Sequence, residues 1–98
     1  MEKSNDITNE NAVNLFVKSV EEKFPELIKV IEDKILENAS NVENISRFNL
    51  DGSDLSHNEQ IKVLDVLKMY FAKKGFGVSE VYNQGEGFVP YIVIEILI

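Results

Sequence analysis

Residues 88–98 read FVPYIVIEILI, and the arrangement of the sheet depends on this segment. From Tyr91 to Ile98 only Glu95 carries a charge, so an extended strand here has two apolar faces. Such a strand usually lies inside a sheet and is covered on both sides. Pro90 cannot donate a hydrogen bond to a neighbouring strand, so it marks the start of the strand or a bulge. We therefore expect residues 88–98 to supply the central strand of the sheet.

The segment before this strand predicts a helix followed by a partner strand. Ser56 and Glu59 have the spacing of a capping box, in which each side chain bonds the backbone of the other residue. Two lysines and a glycine at residues 73–75 are typical of a helix end. Residues 76–82 alternate in polarity as a half-buried strand does. Residues 83–87 include two glycines and predict a hairpin loop.

The amino-terminal segment has the apolar spacing of amphipathic helices. Apolar side chains recur every three or four positions from Val13 to Ile35, which places them on one helical face. Pro25 interrupts this pattern, and proline is tolerated best at the first position of a helix. We therefore expect two helices, at residues 9–24 and 25–39, that meet at a tight corner. A single kinked helix is the alternative.

The order of these elements predicts the topology of the sheet. Residues 45–50 alternate in polarity and predict the first strand. A right-handed strand–helix–strand connection makes the first two strands parallel, and the hairpin makes the third strand antiparallel to the second. We predict an α+β fold of order α-α-β-α-β-β with a three-stranded mixed sheet in order 1-3-2. The capped helix should cover one face of the sheet, and the amino-terminal helices the other face or one end. We expect residues 9–98 to form this single domain, after a flexible terminus at residues 1–8.

The composition excludes several classes of protein. Ninety-eight residues allow one domain, and the absence of cysteine excludes disulfides, thiolate zinc sites and a cysteine nucleophile. A formal net charge of −7 repels nucleic acids and anionic membranes, so we expect neither as a partner. The polar start and the short apolar runs predict neither a signal peptide nor a membrane helix, and hence a cytoplasmic location. Nine lysines against one arginine are typical of an AT-rich bacterial or phage genome.

No pattern of reactive side chains indicates catalysis. His57 is the only histidine and has no second nitrogen or sulfur ligand for a metal ion. Ser53 and Ser56 lack the sequence of a nucleophile elbow, and residues 51–54 lack the ligand spacing of a calcium loop. The glycines of residues 84–87 lack the lysine of a phosphate-binding loop. The pattern singles out no two of the 17 acids as a catalytic pair. We therefore predict a protein that is not an enzyme, with no cofactor and no metal.

A surplus of apolar residues indicates self-association instead. The helix at residues 9–24 carries more apolar side chains than one stripe needs, and the last strand is apolar to its end. A chain of this size has few atoms to cover both, so we expect a homo-oligomer, with a dimer favoured. The acid-rich side of the helix is either a solvated surface or a site for a basic partner. The candidate interaction residues are Val13, Phe16, Val17, Val20, Glu21, Glu22, Phe24 and Tyr91.

Aromatic residues near the hairpin do not indicate nucleic-acid binding. Tyr82, Phe88 and Tyr91 could stack on bases, but acids rather than bases accompany them in the sequence. The sequence therefore favours a small acidic protein–protein interaction module, for example an inhibitor or accessory protein of a phage or mobile element. One alternative is a small-ligand-binding protein or minor enzyme with a pocket between sheet and helices or at a dimer interface. A second alternative is a structural subunit of a larger assembly.

Overall fold

In a computed structural model, which describes residues 7–82 and 87–98, the chain forms three helices and three strands. Their order is α1 (Asn9–Lys23), α2 (Pro25–Ser40), β1 (Ile45–Asn49), α3 (His57–Lys73), β2 (Gly77–Val81) and β3 (Tyr91–Glu95). The predicted α+β class and element order are confirmed. Residues 1–6 of the expected flexible terminus and residues 83–86 of the expected hairpin loop lie outside the described residues.

The sheet has the predicted strand order, β1-β3-β2. β3 pairs antiparallel with both neighbours, so β1 and β2 run in the same direction as predicted, and the expected mixed sheet contains antiparallel pairs only. Ser46 and Val78 both lie opposite Ile94, on the two sides of the central strand. β3 is shorter than the predicted strand 88–98 because its partners β1 and β2 are each only five residues long.

The helices pack on one face of the sheet, where the core lies. Alternate residues of β1 and β3 are buried there, including Phe48, Ile92 and Ile94. On the opposite face Tyr91 and Val93 remain half-buried, and they do not belong to the core cluster. The structure thus differs from the expectation that β3 is covered on both sides. The physical reason is that the apolar stripe of α1 packs against α2 and α3 and leaves no helix for the second face.

The corner between α1 and α2 consists of the single residue Phe24. Its backbone N–H still donates to the carbonyl oxygen of Val20 at 2.9 Å, as in a regular helix, but its φ of −127° and ψ of 47° are not helical, and α1 ends there. Pro25 then occupies the first turn of α2, where its missing N–H costs no helical hydrogen bond. Two helices are confirmed rather than one kinked helix.

The Cα radius of gyration of 15.5 Å exceeds the roughly 13 Å typical of a compact 100-residue domain.

The ends of α3 follow from its sequence. The Ser56 hydroxyl accepts a hydrogen bond from the Glu59 N–H at 3.2 Å, and the Glu59 carboxylate accepts one from the Ser56 N–H at 2.9 Å. This is the predicted capping box. After Lys73 the chain turns through Gly75, whose φ of +101° favours glycine. Among the described residues, no helix is both long enough and apolar enough to span a membrane.

Candidate functional site

The two serine hydroxyls that could act as nucleophiles form structural hydrogen bonds, and His57 belongs to no group of metal-ligating side chains among the described residues. The Ser53 hydroxyl accepts a hydrogen bond from the Leu55 N–H at 3.3 Å, and Ser56 caps α3. His57 lies in the first turn of α3 and is half-buried. Across residues 7–82 and 87–98, no three His, Asp or Glu side chains are grouped so that they could hold a metal ion.

Three buried polar atoms lack a hydrogen-bond partner within the described chain: His57 Nε2, Gln60 Oε1 and the Tyr82 hydroxyl. Burial, together with the charge of Asp65, raises the pKa of Tyr82 to about 12, so this phenol is neutral at physiological pH. No hydrogen bond joins the three atoms. The structure therefore shows no hydrogen-bonded acid–base pair among them.

The helix-free side of the sheet is one uncovered apolar surface of the described chain. We call it the open sheet face, and it consists of Ile45, Arg47, Asn49, Gly77, Ser79, Val81, Tyr91, Val93 and Glu95. Leu97 extends it, because a Cβ placed on Gly77 would lie 3.1 Å from Leu97 Cδ2. Leu97 remains 62% exposed. The rings of Phe88 and Tyr91, with centroids 6.4 Å apart, continue the apolar surface towards the start of β3.

A strained residue borders the open sheet face. Val42 has φ +63°, a left-handed conformation that β-branched residues rarely adopt. It follows the end of α2, where its N–H donates to Ala39 O and the Glu43 N–H donates to Asn38 O, at 3.0 and 2.8 Å. Glycine normally fills this position of a Schellman motif. The Val42 side chain is nevertheless 96% exposed.

The second surface is a groove between α1 and α3, which we call the α1–α3 groove. It comprises two adjoining depressions of ≈ 320 and ≈ 600 Å³ that share Phe16. Its apolar lining comes from Ala12, Val13, Phe16, Val20, Phe24, Val63, Val66, Met69 and Ala72. Its charged lining residues are Lys23, Lys62 and Lys73, and no acid of residues 7–82 or 87–98 lines it.

The predicted interaction residues of α1 divide between the core and the surface. Val20 is only 4% exposed and belongs to the core of the protomer. Val17 and Phe24 are half-buried and pack against that core. Val13 and Phe16 are also half-buried, and both line the α1–α3 groove.

The remaining three predicted residues lie in different environments. Tyr91 lies on the open sheet face, and Glu22 is exposed to solvent. Glu21 accepts a hydrogen bond from the Tyr70 hydroxyl at 2.8 Å and lies 3.5 Å from Lys74 Nζ. The hydrogen bond from Tyr70, supported by Lys74, lowers the pKa of Glu21 below its usual 4.5. Glu21 thus holds α1 against α3.

Several residues of the two surfaces were not predicted from the sequence. The groove takes Lys62, Met69 and Lys73 from α3, and the open sheet face has Val93 at its centre. The apolar stripe on α3 contains more side chains than the helix buries. This surplus was the signal for the groove in the sequence. No local pattern identifies Val42, because its conformation depends on how α2 ends.

The comparisons with known proteins supply no functional assignment. No family model, curated protein or solved structure matches the chain.

Proposed function

We propose that this protein is a non-catalytic protein-interaction module that forms a homodimer through its open sheet face. The observation that carries the proposal is the exposure of apolar side chains on the helix-free side of β3. Val93 lies in the middle strand at the centre of this face, half-buried and outside the core cluster. Its neighbour Ile94 points to the other face and is only 1% exposed.

The distribution of charge on the open sheet face suits a second copy of the same chain. The face carries one cation, Arg47, on β1 and one anion, Glu95, on β3. A surface that carries both signs can pair with itself without accumulating like charge. Within the described chain Arg47 forms no ion pair, so its guanidinium is available to a partner.

The size of the face sets the expected strength of the dimer. Five-residue strands are about 17 Å long, and three of them span about 14 Å. A standard interface buries about 800 Å² on each partner, which is more than this area supplies alone. Val42 and Leu97 at the border enlarge the apolar surface. We therefore expect a dimer that dissociates on dilution.

Analytical ultracentrifugation over a concentration series tests the proposal. The wild-type protein should pass from monomer to dimer as its concentration rises. Val93→Lys should remain monomeric and folded, and Leu97→Lys, at a more exposed position, should weaken the dimer in the same way. Val30→Lys makes the same change on the exposed side of α2 and should leave the dimer intact. A wild-type protein that is monomeric at every concentration would contradict the proposal.

A further inference from the structure

We propose that the α1–α3 groove is a second binding site, which takes an amphipathic helix from another protein whose apolar stripe is bordered by acidic residues. The site rests on its own observations and does not depend on dimerisation through the open sheet face. It adds a specific class of partner to the proposed interaction module.

The apolar lining of the groove fits the apolar side of a helix. Val13 and Phe16 of α1 are only half-buried, and Val66 of α3 lines the same depression as Phe16. Met69 is 44% exposed although it belongs to the apolar lining. Methionine adapts to the shape of different side chains, which suits a binding surface.

The charges at the groove indicate the sign of the partner's charge. Lys23, Lys62 and Lys73 line it, and no acid in the part of the chain that the structure describes does so, although the net charge of the full sequence is −7. Among the described residues none of the three forms an ion pair. By contrast, Lys68 of α3 is 3.0 Å from Glu80, and Lys74, just after the end of α3, is 3.5 Å from Glu21. Lys62 and Lys73 are thus the lysines of α3 without an ion pair among the described residues, and Lys23 at the end of α1 is a third.

Two acids lie close in sequence to lysines of the groove without lining it. Glu59 precedes Lys62 by one turn; its carboxylate accepts the hydrogen bond of the capping box, and the charge of Lys62 is among the smaller causes that lower its pKa. Glu22 adjoins Lys23 in sequence and is exposed, yet it does not line the groove. The groove therefore presents positive charge to an approaching segment, and this charge attracts and orients an acidic one.

The spacing of the lysines specifies the pattern of the partner helix. Lys62 and Lys73 lie at opposite ends of the groove and are separated along α3 by about 16 Å, at 1.5 Å per residue. A helix of about three turns fills this length. Acidic residues near both ends, with apolar residues at positions i, i+3, i+4 and i+7 between them, would match the lining and its charges.

A second copy of this chain fits the groove less well than an acidic helix. A twofold interface through the groove would bring the three lysines of each copy to one seam. Like charges at such a seam oppose association. An acidic helix neutralises the same lysines, so we assign the groove to a different protein.

Titration of the full-length protein with two designed helical peptides tests this assignment. Both peptides carry the same leucine stripe, and the flanking residues are glutamate in one and lysine in the other. Fluorescence anisotropy should detect the acidic peptide binding, roughly tenfold or more tightly than the basic one. Failure of the acidic peptide to bind at about 1 mM would overturn the proposal, as would equal affinity for both peptides.

Charge-reversal variants locate the binding. The double variant Lys62→Glu/Lys73→Glu should lose the acidic peptide and gain the basic one. Lys29→Glu/Lys34→Glu, which reverses two charges at exposed positions on α2 outside the groove, is the matched control and should retain the wild-type preference. Val93→Lys should bind the acidic peptide as the wild type does, which separates this site from the proposed dimer interface. If decanoate binds the groove and the acidic peptide does not, the site is one for an anionic small molecule and the proposal is wrong.

Discussion

The Tyr70 hydroxyl donates a 2.8 Å hydrogen bond to Glu21 Oε2, and this bond links α3 to α1. The Lys74 ammonium lies 3.5 Å from the same carboxylate oxygen and 5.3 Å from the centre of the Tyr70 ring. A hydrogen bond to an ionised carboxylate is stronger than one between neutral groups. The three side chains therefore fix the position of a helix that buries only one residue, Val20.

Removal of the Tyr70 hydroxyl should weaken the attachment of α1. Tyr70→Phe keeps the ring in the core and removes only the donor to Glu21, so we expect the free energy of unfolding to fall by about 1 kcal/mol. Urea denaturation measures this change. Tyr91→Phe, on the open sheet face, is the control and should have little effect on the monomer. Equal losses in the two variants would show that the bond to Glu21 does not stabilise the fold.

The lowered pKa of Glu21 predicts a loss of stability in acid. Because the folded protein holds this carboxylate ionised below its usual pKa of 4.5, the contribution is present above that pH. It disappears as the pH falls through the lower pKa of the folded state. Glu21→Gln should therefore be less stable than the wild type at pH 7, and the difference should narrow below pH 4.5. A difference that is constant with pH would contradict this explanation.

The raised pKa of Tyr70 predicts a loss of stability in alkali. Burial and the hydrogen bond to Glu21 raise this pKa to about 12, whereas an unfolded tyrosine ionises near pH 10. Between these values the unfolded chain releases a proton that the folded chain keeps, so the free energy of unfolding falls as the pH rises. Thermal denaturation between pH 9 and about 12 should show this fall. Tyr70→Phe should reduce the slope, and Tyr82, whose pKa is also raised to about 12, should account for part of what remains.

Relief of the strain at Val42 should stabilise the monomer. Val42→Gly allows φ +63° without the clash of a β-branched side chain, which costs about 1–2 kcal/mol in the left-handed region. The greater freedom of glycine in the unfolded chain offsets part of the gain, so we expect a net increase of about 1 kcal/mol. Val42→Ala retains the Cβ atom and should gain less. Chemical denaturation of the wild type and the two variants measures these differences in the free energy of unfolding. A less stable glycine variant would show that Val42 has stabilising contacts.

Adjacent positions of α2 should respond very differently to truncation. Ile31 is 1% exposed in the core, and Ile31→Ala should cost about 2–5 kcal/mol because it leaves a cavity. Val30 is half-exposed, and Val30→Ala should change stability by no more than about 0.5 kcal/mol. Urea denaturation of both variants tests which side of α2 faces the sheet. Similar losses at the two positions would contradict the orientation of the helix.

The elements that the sequence predicted correctly depend on local chemistry. Pro25 separates the amino-terminal helices, because proline fits a first helical turn and not a helix interior. Ser56 and Glu59 begin α3 through hydrogen bonds that span only three residues. The two apolar faces of β3 predicted its central position in the sheet. Each of these signals lies within one short segment of the sequence.

The features that could not be predicted depend on how distant elements meet. Whether the second face of β3 is covered depends on where α1 packs, and the contact between Glu21 and Tyr70 joins residues 49 positions apart. Periodicity identified Val13 and Val20 as members of one stripe. It could not show that Val20 is buried in the core while Val13 borders a groove, because that depends on the angle between α1 and α3.

The single residue between α1 and α2 has a consequence for local opening of the molecule. Phe24 is the one non-helical residue between two long helices, so we expect rotation about its backbone to move α1 without unwinding either helix. The amide hydrogens of α1 should therefore exchange with solvent in a cooperative local opening, well before those of α3 and β3. A helix bound between α1 and α3 would slow that exchange. Protection of α1 in deuterium-exchange measurements would thus report occupancy of the site even for a partner whose identity is unknown.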